Sequence, residues 1–191
     1  MPEMAQVLSF EQSPDLRPIF VKALLNGRCT AKMLPETVAE RRGVVVDLGH
    51  VVDYACVCGF TVGSSLPLTY VHVLAFPLQV ALMSRRDFPV ALVGLVHVQN
   101  TLTWTRPIGP ADVLDLRVSA MSMRSHRQGR LIDLVNEVTV DGEPVWTAVS
   151  TYLARGRGDN SAPTAEASDT SDLAGLAGGA TWRLPEDTGR R

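Results

Sequence analysis

The sequence has no apolar run approaching the roughly 18 residues of a membrane-spanning helix. Its most apolar stretch, Leu66–Met83, is interrupted by Thr69, Tyr70, His72 and Gln79. It also has little charge imbalance. A formal net charge of −2 over 191 residues, with no basic patch, gives no electrostatic case for nucleic acid. The first residues, MPEMAQVLSFEQSPDLRP, carry acids and no apolar centre, which argues against a secretory signal. Cysteine is scarce: Cys29, Cys56 and Cys58, an odd number. Cys56 and Cys58 are too close for an ordinary bridge and lack a second ligand pair for a metal. Buried free thiols in a reducing cytoplasm are therefore expected.

What is present is a normal globular composition, 46% hydrophobic and 20% charged, enough to bury a core. Residues 1–17 are polar with two prolines and read as an irregular arm. Residues 18–155 read as the folded domain. Gly43–Val52 is ambiguous between strand and helix, and DYACVCGF breaks at Gly59. Pro77 lies within the apolar block, and proline fits the first turn of a helix far better than its interior. This predicts a regular helix from Phe76 to about Arg86, with 68–75 as an extended or looped lead-in.

After Pro89 the period changes to two. Val93–Thr105, Asp112–Met123, Arg130–Val140 and Pro144–Ala154 each alternate and read as strands. Gly109-Pro110, His126–Gly129 and Asp141-Gly142 separate them, and Asp-Gly is a strong hairpin signal. The pattern is α+β, one buried helix followed by at least four antiparallel strands. Residues 156–180 turn to Gly, Ala, Ser, Thr and Asp and read as a flexible, disordered linker. Gly175–Gly179 is not a phosphate loop, since no strand precedes it and no Lys follows. Residues 181–191, TWRLPEDTGRR, regain an aromatic and a leucine, as the start of a second element would.

Several words in fixed order, LPLTYVHVLAFPLQVALM, GLVHVQN, RPI, and DGEPVW followed by STYLAR, resemble the MaoC-like acyl dehydratases, or hydratase-2 enzymes. The resemblance covers about Val46–Arg155 and is to the N-terminal half of their double hotdog. It implies a hotdog fold, an antiparallel sheet wrapped round a central helix. It also implies reversible hydration of a trans-2-enoyl thioester to a (3R)-hydroxyacyl thioester. That reaction needs an acid/base group and a second polar group to move the α-proton and orient water. It also needs N–H donors at a helix N-terminus to polarise the thioester carbonyl. The family supplies the first two as Asp and His, spaced D-x4-H, in the second hotdog. Here the residues five places before His50, His72, His97 and His126 are Val45, Pro67, Leu92 and Met121. No catalytic residue is therefore assigned to this chain.

The resemblance leaves a substrate-holding role. Tyr70 and Phe76 are candidates to line an acyl tunnel, with a core role as the alternative. His72 is a candidate at the helix lead-in, against a structural histidine. Asn100, on the apolar face of its strand, needs a partner if buried. Arg106-Pro107 reads as a corner, with a coenzyme A phosphate contact as the lesser reading. Asp47 and His50 read as a surface pair, and His97 has no acidic companion. No metal or cofactor is expected; coenzyme A or carrier-protein thioester would be substrate. A lone hotdog leaves strand edges open, so a homo- or hetero-oligomer with another hotdog is expected. The alternatives are a non-catalytic binding or assembly module and an acyl thioesterase. The latter needs a carboxylate near the helix start, and Leu66–Leu82 contains none.

Overall fold

Alternating residues from Asp112 onward build three long strands joined by tight turns: β4 (Leu114–His126), β5 (Gly129–Val140) and β6 (Glu143–Arg155). The computed structural model describes residues 6–25, 31–156, 158–159 and 161–162. Asp141 and Gly142, at φ 51° and 80°, form the β5–β6 turn, the left-handed pair that suits the twist of a hairpin. The other elements are β1 (Val7–Ser9), α1 (Leu16–Leu25), β2 (Val38–Val44), α2 (Leu48–Cys58), α3 (Leu68–Met83) and β3 (Leu95–Trp104). The sheet order is β1-β2-β4-β5-β6-β3; β1 pairs parallel to β2, and every other pairing is antiparallel.

The helix α3 packs on β2, β4 and β5 and is buried nearly all round, through Tyr70, Val71, Ala75, Leu78, Val80 and Leu82 among others. Register shifts in β2, β3 and β4 mark bulges, which bend strands and add twist. The sheet thus wraps a central helix, as a hotdog does. Inward residues Leu114, Leu116, Val118, Ile132, Leu134, Val138, Trp146 and Ala148 close the core.

Four expectations change. The helix begins at Leu68, not near Phe76, with Pro67 at its N-cap and Pro77 inside it. Pro77 costs about 3 kcal/mol locally, whereas each fully buried large apolar side chain returns about 1.5–3 kcal/mol. Tertiary burial therefore carries the helix through the proline. The 1–17 arm is not wholly irregular, because β1 lies in it and α1 begins at Leu16. Gly43–Val52 is both things in turn: β2 ends at Val44, and Asp47 caps α2 by accepting from the N–H groups of Gly49 (2.8 Å) and His50 (3.3 Å). Gly59, at φ 69°, closes that helix in the left-handed region. Cys56 and Cys58 are exposed rather than buried, because Val51 and Ala55 take the inward face of α2.

Past Arg155 the chain continues against the β4–β5 turn, where Gly156 N–H donates to the Gln128 carbonyl and Asp159 N–H to the His126 carbonyl. The remainder of the expected linker, residues 181–191 and Cys29 lie outside the described residues.

Candidate functional site

Residues His72, Phe76 and Gln79 fall on one face of α3, at helical spacings of four and three. That face meets β6 and, beyond it, β3. Gln79, Asn136 and Ser150 are wholly buried there, so each polar atom needs a partner. Gln79 Nε2 donates to Asn136 Oδ1 (2.8 Å) and to Ser150 Oγ (3.4 Å). Tyr152 donates its hydroxyl proton to Gln79 Oε1 (2.5 Å). Asn136 Nδ2 donates to the Ala148 carbonyl and to Ser150 Oγ, each at 3.2 Å. Ser150 Oγ donates to Asn100 Oδ1 (3.2 Å). The network is neutral throughout, and it leads from the buried helix face out to Asn100, which is exposed.

A bulge delivers Asn100 to this place. His97 pairs with Tyr152 and Gln99 with Thr151, leaving Val98 as the extra residue. In an unbroken strand His97 and Asn100, three apart, face opposite sides. With Val98 inserted, both face α3. His97 stacks on Tyr152 with ring centres 4.7 Å apart, and His72 stacks on His97 at 5.6 Å. Phe76 borders His72 at 6.4 Å.

Burial pushes the His72 imidazole down to about 4, with the neighbouring His97 adding to the shift. Burial likewise lowers His97, partly offset by a backbone hydrogen bond at Gln99. His72 Nδ1 is buried without a partner. A protonated ring would therefore bury a charged N–H with nothing to accept it. Burial raises the Tyr152 hydroxyl. At neutral pH the patch is two neutral imidazoles, a phenol and an amide, suited to hydrogen bonding rather than to charge stabilisation.

Tyr70 goes elsewhere. It is fully buried on the α2 side of α3, with its hydroxyl 3.0 Å from His50 Nδ1 and its ring 5.4 Å from Tyr54. Of its two sequence readings it takes the core one. Arg106 donates to Asp112 Oδ2 (2.9 Å) and to the Pro107 carbonyl (2.9 Å), and the bond to Asp112 raises its pKa. Asp141 and Glu143 add negative field there. Those surroundings favour the corner role over a phosphate contact. Sequence reasoning passed over Gln79, Asn136, Ser150, Tyr152 and the His97 stack. Gln79 was visible as a polar break in an apolar helix, and Asn136 as a polar residue at an inward strand position. Among the described residues no group of three or more His, Cys, Asp or Glu side chains could hold a metal. No helix among them is long and apolar enough to cross a membrane.

No protein-family model matches the chain. It is 38% identical over 124 residues to 3-hydroxyacyl-thioester dehydratase X of Mycobacterium tuberculosis, covering 65% of this chain and 44% of that protein. The crystal structure of that protein, HtdX, superposes with a TM-score of 0.59 at 37% identity, covering 62% of this chain and 51% of that one. The chain thus spans about half the length of the relatives it matches. The C-terminally truncated HadBC (3R)-hydroxyacyl-ACP dehydratase complex of Mycobacterium tuberculosis shares the fold, with a TM-score of 0.51, at 20% identity over 58% of this chain and 89% of that one. With its ordered sequence words, its helix wrapped by a bulged sheet and its likeness to HtdX, the chain has the hotdog fold and resembles the MaoC-like acyl dehydratases.

Proposed function

We propose that this chain is the substrate-holding hotdog of a (3R)-hydroxyacyl-thioester dehydratase, with catalysis requiring a second hotdog that carries the Asp/His dyad. One observation carries the reading. The chain resembles half of a 3-hydroxyacyl-thioester dehydratase, yet none of its histidines has a carboxylate five residues before it. General acid/base work on the α-proton then falls to the partner hotdog. This chain supplies walls and position. The N-cap Pro67 makes no side-chain cap bond, which leaves the positive end of α3 unclaimed by any local side chain. His72, Phe76, His97 and Asn100 give an acyl chain a mixed apolar and neutral hydrogen-bonding surface. The thioester carrier, coenzyme A or a carrier protein, is substrate, and no cofactor is invoked.

The open edge of β3 supports the need for a partner. β3 pairs only with β6 among the described strands, is ten residues long and exposes Val96, Val98 and Trp104. A long edge of that kind invites strand pairing unless it is covered. An assembly module without turnover shares this surface and differs only in what its partner contains. A thioesterase reading lacks its carboxylate, since Leu66–Leu82 holds neither Asp nor Glu.

The test is association by analytical ultracentrifugation with a hotdog protein bearing D-x4-H. A one-to-one complex, weakened at least tenfold by Val98→Lys, is expected. A complex indifferent to Val98→Lys and Trp104→Asp, or none with any dyad-bearing hotdog, contradicts the proposal.

A further inference from the structure

The buried network around Gln79 fixes the direction of every proton in it. The Ala148 carbonyl can only accept, so the Asn136 atom 3.2 Å from it is the amide nitrogen, which also donates to Ser150 Oγ at 3.2 Å. Asn136 therefore turns its Oδ1 to Gln79. Gln79 Nε2 gives one hydrogen to that oxygen (2.8 Å) and the other to Ser150 Oγ (3.4 Å). Gln79 Oε1 is left to accept from the Tyr152 hydroxyl. Ser150 Oγ now receives two donors, which fill its lone pairs, so its own hydrogen goes to Asn100 Oδ1 (3.2 Å). A reversed Asn100 amide would hand Ser150 a third donor and leave the hydroxyl hydrogen without an acceptor.

The backbone carbonyl of Ala148 thus sets, through three side chains, which end of Asn100 faces out. That end is Nδ2, and no described residue takes either of its hydrogens. Asn100 is exposed and shares its face of β3 with His97, beside His72 and Phe76. A strand pairing along the β3 edge would use backbone groups in the plane of the sheet, whereas side chains stand off that plane. Strand pairing therefore leaves the Asn100 amide unspent. An alkyl chain lying over this face would strip water from Nδ2 and offer no acceptor in return, which costs binding. A chain with an oxygen at that level replaces the lost water, and a site built to hydrogen-bond one group rejects the analogue that lacks it.

We infer that Asn100 is a specificity-determining residue of the acyl surface, donating from Nδ2 to an oxygen on the acyl body, so that the thioester held here carries an oxo-substituted chain rather than a plain alkyl one. The inference rests on the substrate-holding reading and adds to it the class of acyl chain.

Isothermal titration of the full chain with decanoyl-coenzyme A and with its mono-oxo isomers, one for each carbon beyond the β position, tests it. At least one isomer is expected to bind about tenfold or more tightly than decanoyl-coenzyme A. Asn100→Asp keeps an oxygen for the Ser150 hydroxyl and puts an acceptor where the donor stands. It should abolish the preference, whatever its charge does to the affinity of both thioesters. Asn100→Leu should lose the preference too, while binding decanoyl-coenzyme A at least as tightly as the unsubstituted chain. Decanoyl-coenzyme A binding as tightly as every isomer, or a preference unchanged in Asn100→Asp, overturns the inference and leaves the substrate-holding reading standing. Binding of none of these thioesters overturns both.

Discussion

The sheet carries a polar cluster on each face, and the two are built from different chemistry. Under α3, Gln79, Asn136, Ser150 and Tyr152 form a network with no ionised member, each at most 4% exposed. On the outer face Asp133 is equally buried, at 5%, yet it is a carboxylate. It accepts from Ser122 Oγ (2.6 Å), from Thr151 Oγ1 (2.7 Å) and from the Arg124 guanidinium. Burial alone would raise its pKa, but those three donors hold it below the usual carboxylate range. The difference is access to water. Arg124 is half-exposed, so the outer ion pair keeps part of its hydration, whereas a charge under the helix would lose all of it. A bulge serves each cluster. The shift between Ala120 and Ser122 turns Ser122 and Arg124 outward to Asp133, as the shift at Val98 turns Asn100 inward.

Breaking the inner network has the largest expected effect. Gln79→Leu leaves the Tyr152 hydroxyl and one Asn136 acceptor buried without partners, and should cost about 2–4 kcal/mol in urea denaturation. Asp133→Ala should cost less, about 1–2 kcal/mol, because Ser122 and Arg124 can turn to water. A loss as large as that of Gln79→Leu would erase the distinction between the faces.

Acid sharpens the comparison further. The folded pKa of His72 lies below its ordinary 6.5, so the stability tied to the neutral ring is complete above 6.5 and is lost as pH falls towards about 4. Asp133 is also depressed, from 3.8, so its contribution is complete above that value and is lost only below it. Stability should therefore fall in two steps, the inner side first. His72→Phe should flatten the upper step and leave the lower one, as read by melting temperature against pH. The α2 cap gives a smaller effect: Asp47→Ala should cost about 1 kcal/mol, measured by the same denaturation.

The strands β3 to β6, their turns and the stop at Gly59 were legible because alternation, Asp-Gly and a glycine break act locally, whereas β1, β2 and the Asp47 cap of α2 were not. The start of α3 was not, because Pro77 obeys a local rule that burial on every side of the helix overrides. The faces of β3 were not legible either. Val96–Trp104 alternates in letters straight through Val98, and only pairing with β6 creates the bulge. Asn100 was singled out on the right face for a reason the bulge replaces, while His97, placed on the other face by alternation, joins it. Tyr70 and His72, two apart on a helix, cannot line one surface, which became decidable once the helix was seen to begin at Leu68.

The central claim is that this hotdog holds substrate for a dyad carried elsewhere. Its most direct test is the loss of crotonyl-coenzyme A absorbance with the purified chain alone and with a D-x4-H hotdog partner added. The account predicts no hydration above background from the chain alone, and a rate with the partner that exceeds the partner's own. Enzyme-like hydration by the chain alone would contradict it.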